Sequence, residues 1–144
     1  MNGRIWAISQ VMRPGLPVWP GNTEFTHTGT WNMAEGSPVN VSALTMSTHS
    51  GSHADAPLHY CAQGSDIATV DLEPYLGECL VVDARHSAGR IEVADLPRGP
   101  MPARVLFRTY AAFPHDVWQT DFTAVAPDTI RDLTARGVQL IGID

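Results

Sequence analysis

Twelve glycines and eleven prolines are spread through the 144 residues, roughly 16% of the chain against a background of about 12%. Proline removes a backbone donor and glycine favours turns, so turns should be plentiful and helices few. With 44% hydrophobic and 17% charged residues, the chain still has enough apolar material for one compact domain burying roughly two thirds of its unfolded surface. Disordered, collagen-like and coiled-coil chains are excluded. Acidic residues outnumber basic ones 15 to 9, and no run of Lys or Arg offers a footprint for a phosphate backbone, which argues against nucleic acid as a partner. No apolar stretch approaches the ~20 residues of a membrane helix, and the opening residues lack a signal-peptide design, so a soluble cytoplasmic protein with no membrane partner is expected. Cys61 and Cys79 form neither a disulfide framework nor a Cys-x-x-Cys site and read as reduced thiols.

Neither repeats nor linker-like charge blocks divide the sequence, which predicts a single domain over residues 1–144. Residues 4–10 alternate as an opening strand, and the cluster Pro14, Gly15, Pro17, Pro20 and Gly21 then holds Trp19 in a turning segment. Residues 24–32 and 37–47 read as two strands joined through Gly36. The apolar runs 79–83 and 105–110 read as buried strands in the middle of a sheet. A helix is predicted over residues 127–136, with Pro127 at its first position, Gly137 as left-handed cap, and Ile130 and Leu133 as its apolar stripe. A strand over 138–143 follows. The fold class is α/β with a mixed, curved sheet and few helices.

Three of the six histidines fall in the eleven residues His49-Ser50-Gly51-Ser52-His53-Ala54-Asp55-Ala56-Pro57-Leu58-His59, where even spreading would place about 0.5. Small residues fill nearly every gap, which lets the backbone approach a central ion. His49 and His53 have the i, i+4 spacing of a helical zinc pair, but Gly51 and Pro57 oppose a helix. In an extended loop residues 49, 53 and 55 share one face, so two imidazoles and a carboxylate converge. That donor set suits zinc, with an open fourth position as in catalytic sites, and also admits manganese. The alternative is a loop whose histidines merely cap turns. Pro57 is explained by ending an extended run, and spacing leaves His59 as either a fourth ligand or a proton shuttle. A Ser/His/Asp triad is excluded by the lack of a Gly-x-Ser-x-Gly elbow.

His49-x-Gly51-x-His53-x-Asp55-x-Pro57-x-His59 resembles the HxGxHxDxPxH signature of the metal-dependent cyclase-like hydrolases. The wording SGSHADAPLHY, together with Pro17-Val18-Trp19-Pro20-Gly21-Asn22, Gly36-Ser37-Pro38-Val39-Asn40, Tyr75-Leu76-Gly77, the block from Arg104 to Tyr110, Ala126-Pro127-Asp128 and Leu140-Ile141-Gly142-Ile143-Asp144, is similar to the bacterial kynurenine formamidase branch of that family, in the same order. The resemblance implies a barrel-like swivelling β/β/α fold. It also implies that His49, His53 and Asp55 bind a first zinc, Asp55 bridging to a second, that His59 is the general acid/base, and that Trp19 contacts the substrate's aryl ring. The implied reaction is hydrolysis of N-formyl-L-kynurenine to L-kynurenine and formate in tryptophan degradation, by a homodimer.

The family's further His and Glu for the second metal lie beyond the matching strand, and His86 and His115 do not match them. The resemblance therefore implies a C-terminally incomplete domain with a three-ligand site and little activity as a 144-residue species. The same motif also fits an isatin hydrolase-like amidohydrolase, or a truncated, catalytically silent metal-binding form.

Overall fold

A computed structural model describes residues 4–144, and its contacts group into two units. The first comprises Met1–Ile67 with Pro114–Trp118, and the second Ala68–Phe113 with Gln119–Asp144.

In the first unit, β1 (Thr26–Trp31) and β2 (Val41–Thr45) form an antiparallel ribbon with a register irregularity between Gly29 and Trp31. The ribbon turns through Asn32, whose side chain accepts the Ala34 amide, and Gly36, which takes a left-handed φ of 91°. Every residue of both strands is exposed, and the buried apolar side chains of this unit include Leu16 and Phe25. Residues 4–10, expected as a strand, pair with nothing as a ladder. Gln10 instead spends its amide on Ser52 Oγ and its side chain on the His115 carbonyl, while Ile5 and Ile8 stay exposed.

The second unit is an α/β assembly. Its strands are β3 (Leu80–Asp83), β4 (Arg90–Ile91), β5 (Arg104–Arg108), β6 (Ala124–Val125) and β7 (Leu140–Ile143), with α1 (Pro127–Ala135) before the last. The order β3-β5-β7 is a parallel sheet, and β4-β6 a second parallel pair. A core of Val82, Ala84, Ile91, Leu96, Val105, Phe107, Leu133 and Val138 fills this unit. The runs expected to be buried throughout alternate instead: Val82 is buried and Val81 exposed, as befits a sheet with one covered face.

α1 starts at Pro127 and ends at Ala135, with Arg136 as its C-cap, beyond which Gly137 has φ 88°. Ile130 is exposed, and Thr129 takes its expected place on the buried stripe by donating its hydroxyl to the Ile91 carbonyl at 2.9 Å. A capping box at Glu92 and Asp95 orders the short turn after β4, and the Glu92 amide with the Ser87 hydroxyl holds the Asp95 carboxyl below the usual carboxylate range.

The α/β class with few helices is the one observed. Strand pairing is divided among three small sheets, and none closes into a barrel among the described residues. Two strands are only two residues long, and Pro97, Pro100 and Pro102 interrupt the chain before β5, which limits how far a ladder can propagate. No helix among the described residues is long and apolar enough to cross a membrane.

Candidate metal centre

The histidine segment follows β2 directly. Ser47, buried at its head, accepts the His49 amide on its hydroxyl at 3.1 Å and the Ser50 amide on its carbonyl at 3.2 Å, which turns the chain back on itself. Gly51 then takes a φ of 61°, a conformation costing little only for glycine. Residues 53–56 have no regular structure, and Pro57, after an extended Ala56, opens a short 3-10 turn, Pro57–His59. Pro57 thus does more than end a strand, since its turn presents His59. Three hydrogen bonds close the loop behind it: Leu58 N to Ser65 O, Cys61 N to Pro57 O and Gly64 N to Cys61 O.

This path, not one face of an extended strand, brings the side chains together. His49 Nδ1 lies 2.9 Å from Asp55 Oδ1 and 3.2 Å from His53 Nε2, and His53 Nε2 lies 3.5 Å from Asp55 Oδ1. Tetrahedral zinc with bonds of about 2.0–2.1 Å places its ligand atoms about 3.3 Å apart, so the spacing fits a divalent ion. His53 Nδ1 is 2.9 Å from the Gly51 carbonyl. A carbonyl only accepts, so Nδ1 carries the proton and Nε2 presents a lone pair to the site. His59 joins the group: its ligand atom lies within 4.8 Å of those of His49 and Asp55, and its ring centroid is 4.1 Å from that of His49. The His49, His53 and Asp55 side chains keep 32%, 31% and 34% of their exposure, so water and small molecules reach them.

Trp19 lies in the proline-bounded turn, where its carbonyl accepts the Asn22 amide at 2.8 Å. Asn22 in turn donates its side-chain amide to Ser47 Oγ at 2.8 Å. The tryptophan turn is therefore tied to the residue that starts the histidine turn, a link across 25 residues that spacing could not reveal. Trp118, to which nothing in the sequence pointed, packs edge-on against Trp19. A depression of about 580 Å³ in the second unit, lined by Glu78, Cys79, Leu80, Pro100, Met101 and Pro102, involves none of these groups.

Residues 6–144 match the family model described as putative cyclase. The chain belongs to this family. Among relatives, a kynurenine formamidase of Erythrobacter litoralis (strain HTCC2594) is 58% identical over 98% of this chain and 65% of its own length. One of Maricaulis maris (strain MCS10) is 50% identical, over 98% of the chain and 68% of its length. A solved structure described as a potential metal-dependent hydrolase with cyclase activity superposes with a TM-score of 0.74 at 28% identity, over 96% of this chain and 66% of that one. A predicted metal-dependent hydrolase from Bacillus stearothermophilus gives 0.75 at 29% identity, over 96% and 67%. The family match thus covers nearly all of this chain, while the chain spans about two thirds of the length of these relatives.

Proposed function

We propose that this chain is part of a zinc-dependent arylformamidase hydrolysing N-formyl-L-kynurenine to L-kynurenine and formate. The observation that carries the reading is the convergence of His49 Nδ1, His53 Nε2 and Asp55 Oδ1 within 3.5 Å of one another, on a loop whose family relatives include proteins named kynurenine formamidase. Two imidazole nitrogens and a carboxylate oxygen suit zinc, and manganese accepts the same donors. A divalent ion held there supplies a Lewis acid for the formyl oxygen and lowers the pKa of a water molecule.

The chain's own residues do the rest. The Gly51 carbonyl fixes the tautomer of His53. His59, outside the tightest trio but within reach of it, would take a proton from the attacking water on one of its ring nitrogens as the water oxygen bonds the formyl carbon, and return it to the aniline nitrogen as the C–N bond breaks. The Trp19 indole, held by the Asn22–Ser47 link, receives the aryl ring. The same reading makes the protein a single-domain subunit of a cytoplasmic homodimer. In support, the β1–β2 ribbon is exposed throughout, and an uncovered two-stranded ribbon is marginally stable in water.

Zinc content and turnover, measured together, test the proposal. The chain should bind one equivalent of zinc, and His53→Ala should lose it. In a form extended to the relatives' full length, His59→Ala should retain zinc while hydrolysing N-formylkynurenine roughly 10² to 10⁴ times more slowly. Zinc loss in His59→Ala would make His59 a ligand, and a form extended to the relatives' full length that binds zinc yet leaves N-formylkynurenine intact would remove the formamidase reading.

A further inference from the structure

Trp19 and Trp118 meet with ring centroids 5.4 Å apart and planes at 73°. An edge-to-face pair of this kind makes a corner whose two walls are indoles, and both remain accessible, at 59% and 37% exposure. Trp118 arrives on the short segment Pro114–Trp118, grouped with the first unit although the residues on either side belong to the second. That segment is fastened beside the histidine loop: the His115 carbonyl accepts the Gln10 side chain, Asp116 pairs with Arg13, and the Gln10 amide reaches Ser52 Oγ. Ser52 lies between His49 and His53. Trp19 is tied to the same loop through Asn22 and Ser47. Both indoles are thus anchored by hydrogen bonds to the loop that gathers the candidate ligands.

We infer that Trp118 is a second specificity-determining residue of the site, forming with Trp19 a two-walled receptor for a planar aryl ring next to a formamide. The inference rests on the reading of Trp19 as the aryl contact and extends it. A flat ring that stacks on one indole turns its electropositive edge toward the other, so it gains from both quadrupoles. A saturated ring of the same size offers neither a face to stack nor a polarised edge and gains only buried area. Trp118 therefore discriminates aryl from alicyclic formamides, whereas His49, His53, Asp55 and His59 act on the formyl group common to both.

The test is an NMR titration of the full chain with formanilide and, separately, N-cyclohexylformamide, following the indole Nε1–H signals of its four tryptophans, Trp6, Trp19, Trp31 and Trp118. Formanilide should shift Trp19 and Trp118 together with one dissociation constant and leave Trp6 and Trp31 in place. Trp118→Ala should weaken formanilide by roughly 2- to 10-fold with little change for N-cyclohexylformamide, and Trp118→Phe should restore most of the loss. If formanilide shifts Trp19 alone and Trp118→Phe and Trp118→Ala bind it as wild type does, this inference is wrong while the reading of Trp19 stands. If formanilide shifts neither indole, the reading of Trp19 fails and takes this inference with it. Should Trp118→Ala fail to fold, the wild-type shifts and Trp118→Phe still decide.

Discussion

A Cβ at Gly64 would lie 2.5 Å from the Pro57 carbonyl carbon and 2.7 Å from Leu58 N, both backbone atoms of the turn that carries His59. At Gly51 the nearest contact is also 2.5 Å, but to Met12 Sδ, the far part of a flexible side chain. The two glycines therefore differ in what yields. Gly51→Ala is strained chiefly by its φ of 61°, whereas Gly64→Ala must displace the Pro57–Leu58 backbone. Misplacing a reacting group by about 1 Å costs roughly 10²-fold in rate. In a form extended to the relatives' full length, Gly64→Ala should thus lower turnover by about that factor while the site of His49, His53 and Asp55 keeps its zinc, because the turn holding those three residues is untouched. Parallel zinc and kcat measurements check this, and equal losses of both would show that Gly64 supports the whole loop. At this scale the candidate ligands were legible, since His and Asp crowd among small residues with no other purpose there. How they meet was not: an extended face was the simplest geometry, and the turn at Ser47 depends on tertiary partners such as Asn22.

At the scale of elements, α1 shows both what a sequence reveals and what it hides. Pro127 and Gly137 mark its ends because one suits the first helical position and the other takes a left-handed φ. Of its expected stripe, Leu133 is buried and Ile130 gives way to its neighbour Thr129. Thr129 is fully buried and Ile130 is 44% exposed, since a threonine whose hydroxyl finds a carbonyl can enter a core. The Ile91 carbonyl that accepts it also accepts the Ala126 amide at 3.1 Å, so Thr129→Val removes one hydrogen bond without stranding its acceptor. The expected loss is about 0.5–1.5 kcal/mol, read by urea denaturation. A loss well above that range would mean that the hydroxyl organises more than this one contact. Strand 4–10 failed for a related reason: alternation marks a possible face, but a strand also needs a ladder partner, and Gln10 uses its donors elsewhere.

Over the whole molecule, the apolar core belongs to the second unit and the histidine loop to the first. Composition anticipated the turn-rich α/β character, because dense glycine and proline limit element length wherever the elements pack. It carried no information on sheet closure, which depends on registers between distant strands. The central claim is that His49, His53 and Asp55 hold one divalent ion. Zinc-edge X-ray absorption on the zinc-loaded chain tests it most directly. The account predicts two imidazole rings and at least one oxygen at about 2.0–2.2 Å. A sulfur shell near about 2.3 Å, which would point to Cys61 or Cys79, or no zinc retained after exhaustive buffer exchange, would contradict it.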